Sequence, residues 1–241
     1  MVTAISVVRD FDLYQRCLCE NSKCRGVQFI PFDNTSTNQP IPVRYNSFLE
    51  NYDYSDESWF MFCHEDFEPL ENVVERIDGL NLNKTALYGP IGCRRKGMLG
   101  FGMQVYCGEM KECKRADGSR SWMVGSAIEK PVEVETFDCC CMLVHSSLVE
   151  RFCLRFDEEL LFDLYVEDLC ASCKVQHGIG SFAIPLKACH HSGSVPTTRL
   201  RRHLPYLRKK YPHNYFTGTC TYFGTPTWQK RLQDFILSVI R

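Results

Sequence analysis

The sequence predicts an α/β fold in which helices flank a mixed, mainly parallel central sheet. Apolar runs of strand length alternate with amphipathic stretches from the first residue onward, which is the pattern of β-α-β construction. The composition is globular, with 44% hydrophobic and 24% charged residues. The chain has 241 residues, a length that suits one large domain, or one domain with a small appendage, and excludes a multidomain array.

The first third of the chain is predicted to contain three strand-helix pairs. The first helix has Asp10 or Asp12 as its candidate N-cap, and Pro69 stands where the third helix can begin. The predicted elements are strands over 4–8, 26–31 and 59–63 and helices over 12–20, 43–52 and 70–80.

The pattern changes after residue 85. Eight glycines break the stretch 85–131, which predicts an irregular, mobile middle with a hairpin turn at 116–118. Regular elements then resume, and Gly178 ends the longest helix. The predicted elements are strands over 137–144 and 182–189, helices over 146–152 and 163–177, and a basic helical tail. Residues 1–195 are therefore expected to form the main domain, with 196–241 as an extension packed on it.

The charge of the chain is unevenly distributed. The net charge is −1, which denies the whole molecule the positive field of a general nucleic-acid binder, so no nucleic-acid partner is expected. Residues 196–241 nevertheless hold nine Lys or Arg and one acid. This basic tail either meets phosphates or an anionic membrane surface, or is a solvated helical face.

Fifteen cysteines raise the question of a disulfide framework. Their number is odd, three of them are consecutive at 139–141, and the N-terminal residues lack a secretory pattern, so we expect a reduced, cytoplasmic protein. A zinc or thiol module is the alternative. Its candidate ligands are Cys170, Cys173 and His177, joined by Cys17, Cys19 and Cys24, although buried core cysteines are equally consistent with these positions.

Acidic side chains follow three predicted strands, at Asp10, at Asp33-Asn34 and at Glu65-Asp66. In open α/β sheets, ligands bind outside the carboxyl ends of the strands, and carboxylates there can hold a hydrated divalent cation. They can equally cap the helices that follow.

Two further pairs of side chains can carry chemistry. Glu167 and Asp168 lie about 100° apart on one helix, so one of them can face a cleft and act as a general base. His190 and His191 follow the last predicted strand, where an imidazole can bind Mn²⁺. Exposed helix acids and surface histidines are the structural alternatives.

Taken together, these runs resemble a group of family 2-like glycosyltransferases that have the GT-A fold and a His-x-Asp strand end. Asp33-Asn34 and Tyr45-Asn46 fit that group's nucleotide-binding half, and the resemblance covers roughly residues 2–195. The runs that carry it, in the group's order, are WFMFCHEDF at 59–67, FDEEL at 156–160, YVEDLC at 165–170 and HHSG at 190–193.

The resemblance implies an inverting transfer of a sugar from a nucleoside diphosphate donor to a hydroxyl of a glycan, glycoprotein or lipid-linked acceptor. It gives the catalytic base to Asp168, with Glu167 as the alternative. It assigns a divalent cation, Mn²⁺ or Mg²⁺, to Asp66, helped by Glu65 and by His191 or His190. The residues expected on the nucleotide sugar are Arg9, Asp10, Asp33, Asn34, Asn46, His64 and Trp122.

Two hypotheses accompany this one. The segment around Arg120 to Ser126, with Trp122 as a platform, is expected to order over the bound donor. A protein that binds nucleotide sugars without turning them over is the alternative function.

Overall fold

The computed structural model describes residues 1–96, 103–113, 120–191 and 197–226, together with Trp228 and Leu232. Seven α-helices lie within these residues: α1 (Phe11–Tyr14), α2 (Ile41–Asn51), α3 (Val73–Leu80), α4 (Ser146–Phe152), α5 (Tyr165–His177), α6 (Thr197–Arg201) and α7 (Leu204–Lys210). A π-helical turn, Gln15–Cys19, continues α1, and 3₁₀ turns lie at Ser22–Cys24 and Glu158–Leu160.

The strands of the described residues are β1 (Val2–Val8), β2 (Val27–Asp33), β3 (Trp59–Cys63), β4 (Phe67–Pro69), β5 (Leu87–Gly89), β6 (Gly92–Lys96), β7 (Met103–Cys113), β8 (Ser121–Ser126), β9 (Val132–Val134), β10 (Thr136–Phe137), β11 (Cys141–His145), β12 (Ser181–Ala183), β13 (Ala188–His190), β14 (Tyr215–Thr217) and β15 (Tyr222–Gly224).

The central sheet has the strand order β2-β1-β3-β11-β5-β12-β9. Five of its strands run in one direction, and β11 and β9 run in the other. All seven residues of β1 are buried, because apolar layers cover both faces of the sheet: Ile5 and Val7 pack into one core cluster, and Val2, Ala4 and Val8 into the other. The α/β class and the mixed sheet flanked by helices are confirmed.

A second sheet, β10-β6-β7-β13-β4, stands beside the central one, and β8 pairs with β7. Its strands β4 and β13 are antiparallel, with His190 opposite Phe67. The segment 85–131 is thus not irregular where it is described, because β6, β7 and β8 pair in long antiparallel ladders. The expected turn at 116–118 lies outside the described residues.

Several local predictions hold and others need correction. Strand 59–63 and helix 146–152 match β3 and α4, and Gly178 ends α5 in the left-handed region at φ +69°. Pro69, however, ends a strand, and α3 begins only after Asn72, whose side chain accepts from the Glu75 amide. The predicted strand 182–189 is two strands in different sheets, β12 and β13.

The described part of the tail is only partly helical. Arg199 and Arg201 lie on α6, and Arg208, Lys209 and Lys210 lie on α7, so the basic residues are divided between two short helices, and the hairpin β14–β15 follows them. Leu207, Tyr211, Phe216 and Phe223 are buried in the same core cluster as Ile5, so these residues share a hydrophobic core with the central sheet.

Candidate functional site

Three side chains meet at the carboxyl edge of the central sheet: His64, Asp66 and His190, which we call the edge triad. His64 and Asp66 lie in the turn from β3 to β4, and His190 ends β13, the strand that pairs with β4. Asp66 Oδ1 lies 3.3 Å from His190 Nε2 and 3.9 Å from His64 Nδ1. Strand pairing therefore brings together residues that lie more than a hundred positions apart in the sequence.

Asp66 Oδ1 and His190 Nε2 are buried, and among the described residues neither atom has a hydrogen-bond partner other than the other one. Burial raises the pKa of Asp66, but the hydrogen bond and positive charge of His190 outweigh it and lower that pKa to about 2. A buried ionised carboxylate oxygen beside a buried imidazole nitrogen suits a divalent cation, which would take the place of the imidazole proton.

The two histidines are held by further polar groups. The second nitrogen of His190, Nδ1, lies 3.2 Å from Glu112 Oε1 on β7, and His64 Nε2 lies 2.8 Å from the Tyr165 hydroxyl at the start of α5. Such partners fix the orientation of each ring and the nitrogen that it presents.

Asp138 and Glu167 extend the site away from the edge triad. Asp138 offers an oxygen within 4.8 Å of a ligand atom of His190, and its Oδ2 accepts a hydrogen bond of 2.9 Å from Thr219. Glu167 Oε2 accepts one of 2.9 Å from the Cys139 thiol, and Gly218 packs directly against the Glu167 side chain. Burial raises the pKa of Glu167 to about 8, and the charge of Asp138 adds to that shift.

Asp168 has a different environment from Glu167. Its carboxylate accepts hydrogen bonds of 2.8 Å from Lys210 Nζ and from the Tyr211 hydroxyl, both at the end of α7. Burial raises the pKa of Asp168, while Lys210 and Tyr211 oppose the shift. Asp168 thus anchors the tail to α5.

Glu65 turns toward the end of β1 rather than toward the edge triad. Its carboxylate accepts hydrogen bonds from the backbone amides of both Arg9 and Asp10. The Asp10 side chain in turn accepts from the Leu13 amide and caps α1. Glu65, Arg9 and Asp10 thus connect the loop that follows β3 to the loop that follows β1 at the sheet edge.

The predicted nucleotide-side residues differ in exposure. Asp33 is exposed at the end of β2, where it accepts from the amide and hydroxyl of Thr35. Asn34 is buried and holds the following turn through Gln39. Asn46 is also buried, and it exchanges two hydrogen bonds with the backbone of Phe156. The side chains of Asn34 and Asn46 therefore form hydrogen bonds with other residues of the protein.

His191 and Trp122 differ in how far their side chains are exposed. His191 Nε2 pairs with Glu68 Oε2 at 2.6 Å, so of the two adjacent histidines it is His190 that joins Asp66. Trp122 is half-exposed on β8, a paired strand rather than a loop. It stands opposite Glu112, which stands opposite His190, so the three share one face of the second sheet and Trp122 lies two strand spacings, about 10 Å, from His190.

The zinc ligands considered from the sequence do not come together. Cys170 and Cys173 are buried in the core on α5, and His177 packs against Phe152. Within the described part of the chain, no potential metal-binding group includes these three residues.

Asp138, Glu112 and Tyr165 reach the site although the sequence analysis does not single them out. Asp138 precedes β11, whose antiparallel direction places its amino end at the carboxyl edge of its neighbours. An acidic residue just before an antiparallel strand is the sequence signal that could have identified Asp138. The apolar residues of β11 do not reveal, however, that this strand runs antiparallel to its neighbours. Glu112 depends on the pairing of β7 with β13 in the second sheet.

No family model and no curated protein matches the chain. Among solved structures, the crystal structure of GalNAc-T7 with UDP, GalNAc and Mn²⁺ matches with a TM-score of 0.52 and 8% identity, over 87% of this chain and 48% of its own. The chain has a GT-A-like fold. It spans about half the length of GalNAc-T7, and the likeness at this identity concerns the fold alone.

The crystal structure of A197 from STIV also matches, with a TM-score of 0.40 and 15% identity over 80% of this chain and 86% of that one. Within the described residues, none of the helices is long and apolar enough to cross a lipid bilayer.

Proposed function

We propose that the protein is a glycosyltransferase that uses a nucleoside diphosphate sugar, of the inverting, family 2-like type. The observation that carries the proposal is the edge triad, in which Asp66 Oδ1 and His190 Nε2 lie 3.3 Å apart, buried and with no other hydrogen-bond partner in the described residues. The triad lies at the carboxyl edge of a GT-A-like sheet, the edge at which open α/β sheets bind ligands.

Asp66 and His190 are the residues that would hold a divalent cation, Mn²⁺ or Mg²⁺. Their oxygen and nitrogen donors fit such an ion, and the absence of any further partner for these two buried atoms among the described residues supports its presence. When bound, the cation supplies positive charge that stabilises a leaving diphosphate. Glu112 keeps His190 oriented and Tyr165 keeps His64 oriented, and exposed Asp33 is the candidate contact for the nucleoside.

Glu167 is the better candidate for the catalytic base. It is buried beside Asp138, which links it to His190, and its pKa of about 8 lies close to neutral pH, as efficient base catalysis requires. Glu167 accepts the proton of the acceptor hydroxyl while that oxygen attacks the anomeric carbon and the bond to the diphosphate breaks. Asp168, neutralised by Lys210, keeps the tail in position.

Access to Glu167 involves the tail. Only 2% of Glu167 is exposed, and Gly218 and Thr219 lie over it and over Asp138. The acceptor therefore reaches the base when this segment is displaced. Trp122, on the same face as His190, is the candidate platform for the donor sugar.

The proposal is tested by measuring release of nucleoside diphosphate from a panel of nucleotide sugars, with Mn²⁺ and with mixed acceptors. Asp66→Asn is expected to lower turnover at least about 100-fold, because a ligand carboxylate is lost from the diphosphate site. Asp56→Asn is the matched control, since Asp56 is exposed beyond the opposite end of β3.

Two results would contradict the proposal. The first is the absence of nucleotide-sugar binding, measured by calorimetry, across the whole panel. The second is binding without any turnover by the wild-type chain, which would support the alternative of a nucleotide-sugar-binding protein.

A further inference from the structure

A second cluster of potential metal ligands lies behind the edge triad. Cys189 and His191 flank His190, and side chains alternate across an extended chain, so both point to the face opposite His190. There they meet Cys113, the last residue of β7. Ligand atoms of Cys113, Cys189 and His191 all lie within 4.8 Å of one another.

His191 is the informative member of this cluster. Its side chain is only 8% exposed, and its Nε2 is bound by Glu68 Oε2 at 2.6 Å. Its other nitrogen, Nδ1, is buried and has no hydrogen-bond partner in the described part of the chain. An imidazole with a carboxylate on one nitrogen and nothing on the other has the arrangement of a metal-binding histidine and its supporting acid.

We propose that Cys113, Cys189 and His191 bind a structural zinc ion, with Glu68 orienting the imidazole. Two thiolates and one imidazole are ligands that zinc prefers over the oxygen-seeking cations expected at Asp66. The site does not depend on the proposed function, because none of its ligands belongs to the edge triad.

The geometry defines what zinc binding requires. The two sulfurs lie 2.6 Å apart, whereas two Zn–S bonds of about 2.3 Å at a tetrahedral angle separate sulfurs by about 3.8 Å. Binding therefore moves the sulfurs apart by roughly 1 Å. A disulfide between Cys113 and Cys189 would instead draw them together and would leave His191 Nδ1 without a partner, so zinc accounts for more of the cluster.

Cys17 is the candidate for the fourth ligand. Its sulfur lies within 4.8 Å of ligand atoms of His191 and Glu68, and it is buried in the π-helical turn that follows α1. Four protein ligands are typical of structural zinc sites. With Cys17 included, the ion would join that turn to strands β7 and β13 directly behind His190.

The test is the metal content of the full-length chain, purified without chelators and measured by plasma mass spectrometry. One zinc per chain is expected in the wild type. Cys113→Ser and Cys189→Ser are each expected to lose it, and Cys153→Ser, at an exposed cysteine outside the cluster, is expected to keep it. Glu68→Gln should weaken zinc affinity about 10- to 100-fold, as for other supporting carboxylates.

Two measurements keep the test decisive where a variant folds poorly. Wild-type protein reconstituted with Co²⁺ should show thiolate-to-cobalt charge-transfer absorption, and chelation should make Cys113 and Cys189 reactive toward alkylation. Asp66→Asn should retain zinc, which separates this site from the edge triad. Zinc-free wild-type protein, zinc retained in Cys113→Ser, or a Cys113–Cys189 disulfide found by peptide mapping would overturn the proposal.

Discussion

Glu167 and Asp168 are adjacent on α5, but their carboxylates contact different parts of the molecule. Glu167 accepts a hydrogen bond from Cys139 near the sheet edge, and Asp168 accepts from Lys210 and Tyr211 of the tail. Successive residues of an α-helix point about 100° apart. Because of this rotation, the carboxylate of Glu167 lies on the side of the edge triad, whereas the carboxylate of Asp168 forms an ion pair with Lys210.

Glu167→Gln should separate binding from chemistry. The amide has nearly the shape of the carboxyl group but accepts no proton at neutral pH, so transfer should fall 10²- to 10⁴-fold, by the order of magnitude for a lost general base. Donor affinity should hardly change. Turnover at saturating donor and calorimetric donor affinity measure the two effects.

Asp168→Asn is the matched control for that variant. It should lower stability through Lys210 and leave turnover within a fewfold of wild type. If Asp168→Asn is the inactive variant and Glu167→Gln is active, the base is Asp168 and our assignment on α5 is reversed.

The raised pKa of Glu167 predicts the pH dependence of transfer. The base acts when ionised, so kcat/KM should rise with pH through an apparent pKa near 8. Asp138→Asn removes a negative charge that raises this pKa, so the rise should move to lower pH. Asp157→Asn, an acid bonded to Lys210, should leave it in place. An unchanged profile in Asp138→Asn would remove Asp138 as a cause.

The same group has a predicted effect on stability. A carboxyl whose pKa is about 8 in the folded state and about 4.3 unfolded binds more protons when folded. Its contribution to stability is complete below pH 4 and is lost as the pH rises toward 8. Denaturant unfolding should therefore show that Glu167→Gln gains stability relative to wild type between pH 5 and pH 8. A constant difference would mean that Glu167 is ionised throughout.

The sequence predicts the central sheet better than the second sheet for a physical reason. Strands buried on both faces, such as β1 and β3, are continuous apolar runs bounded by polar residues. In contrast, β8 is mostly exposed and depends on pairing with β7. The run at 182–189 is apolar except for Lys187, yet Pro185, which has no amide hydrogen, lies in the break between β12 and β13.

The position of Asp66 at the sheet edge was predictable from the sequence, whereas its role there stays a prediction. Asp66 follows the clearest strand of the chain, so its place at the edge could be read from the sequence. Whether His190 or His191 joins it depends on which face of β13 each occupies, and adjacent residues of a strand occupy opposite faces. The register with β4 decides this, and a local pattern does not encode that register.

Lys210→Met should destabilise the fold by leaving Asp168 buried without its cation. Lys210 is about a quarter exposed and Asp168 almost fully buried, so we expect a loss of about 2 kcal/mol at pH 7, below the range for fully buried pairs. The deficit should shrink at acid pH, because the unpaired Asp168 then takes up a proton. Lys209→Met is the control, since Lys209 is the residue next to Lys210 and its side chain is exposed. Equal effects of both variants in denaturant unfolding would contradict this role.

The exposed part of the basic tail offers a membrane prediction. Arg199 and Lys210 are used in ion pairs with Asp163 and Asp168, whereas Arg208 and Lys209 are exposed at the end of α7. If this end binds an anionic surface at about 1 kcal/mol per basic group, Arg208→Gln/Lys209→Gln should weaken binding to phosphatidylglycerol vesicles about 30-fold. Added salt should weaken wild-type binding as well, because it screens exposed charges.

The variant Lys23→Gln/Arg25→Gln removes the same charge at another exposed site and should bind like wild type. If both double variants lose binding equally, net charge explains the attraction, and if the wild type does not sediment with vesicles at low salt, the end of α7 is a solvated face.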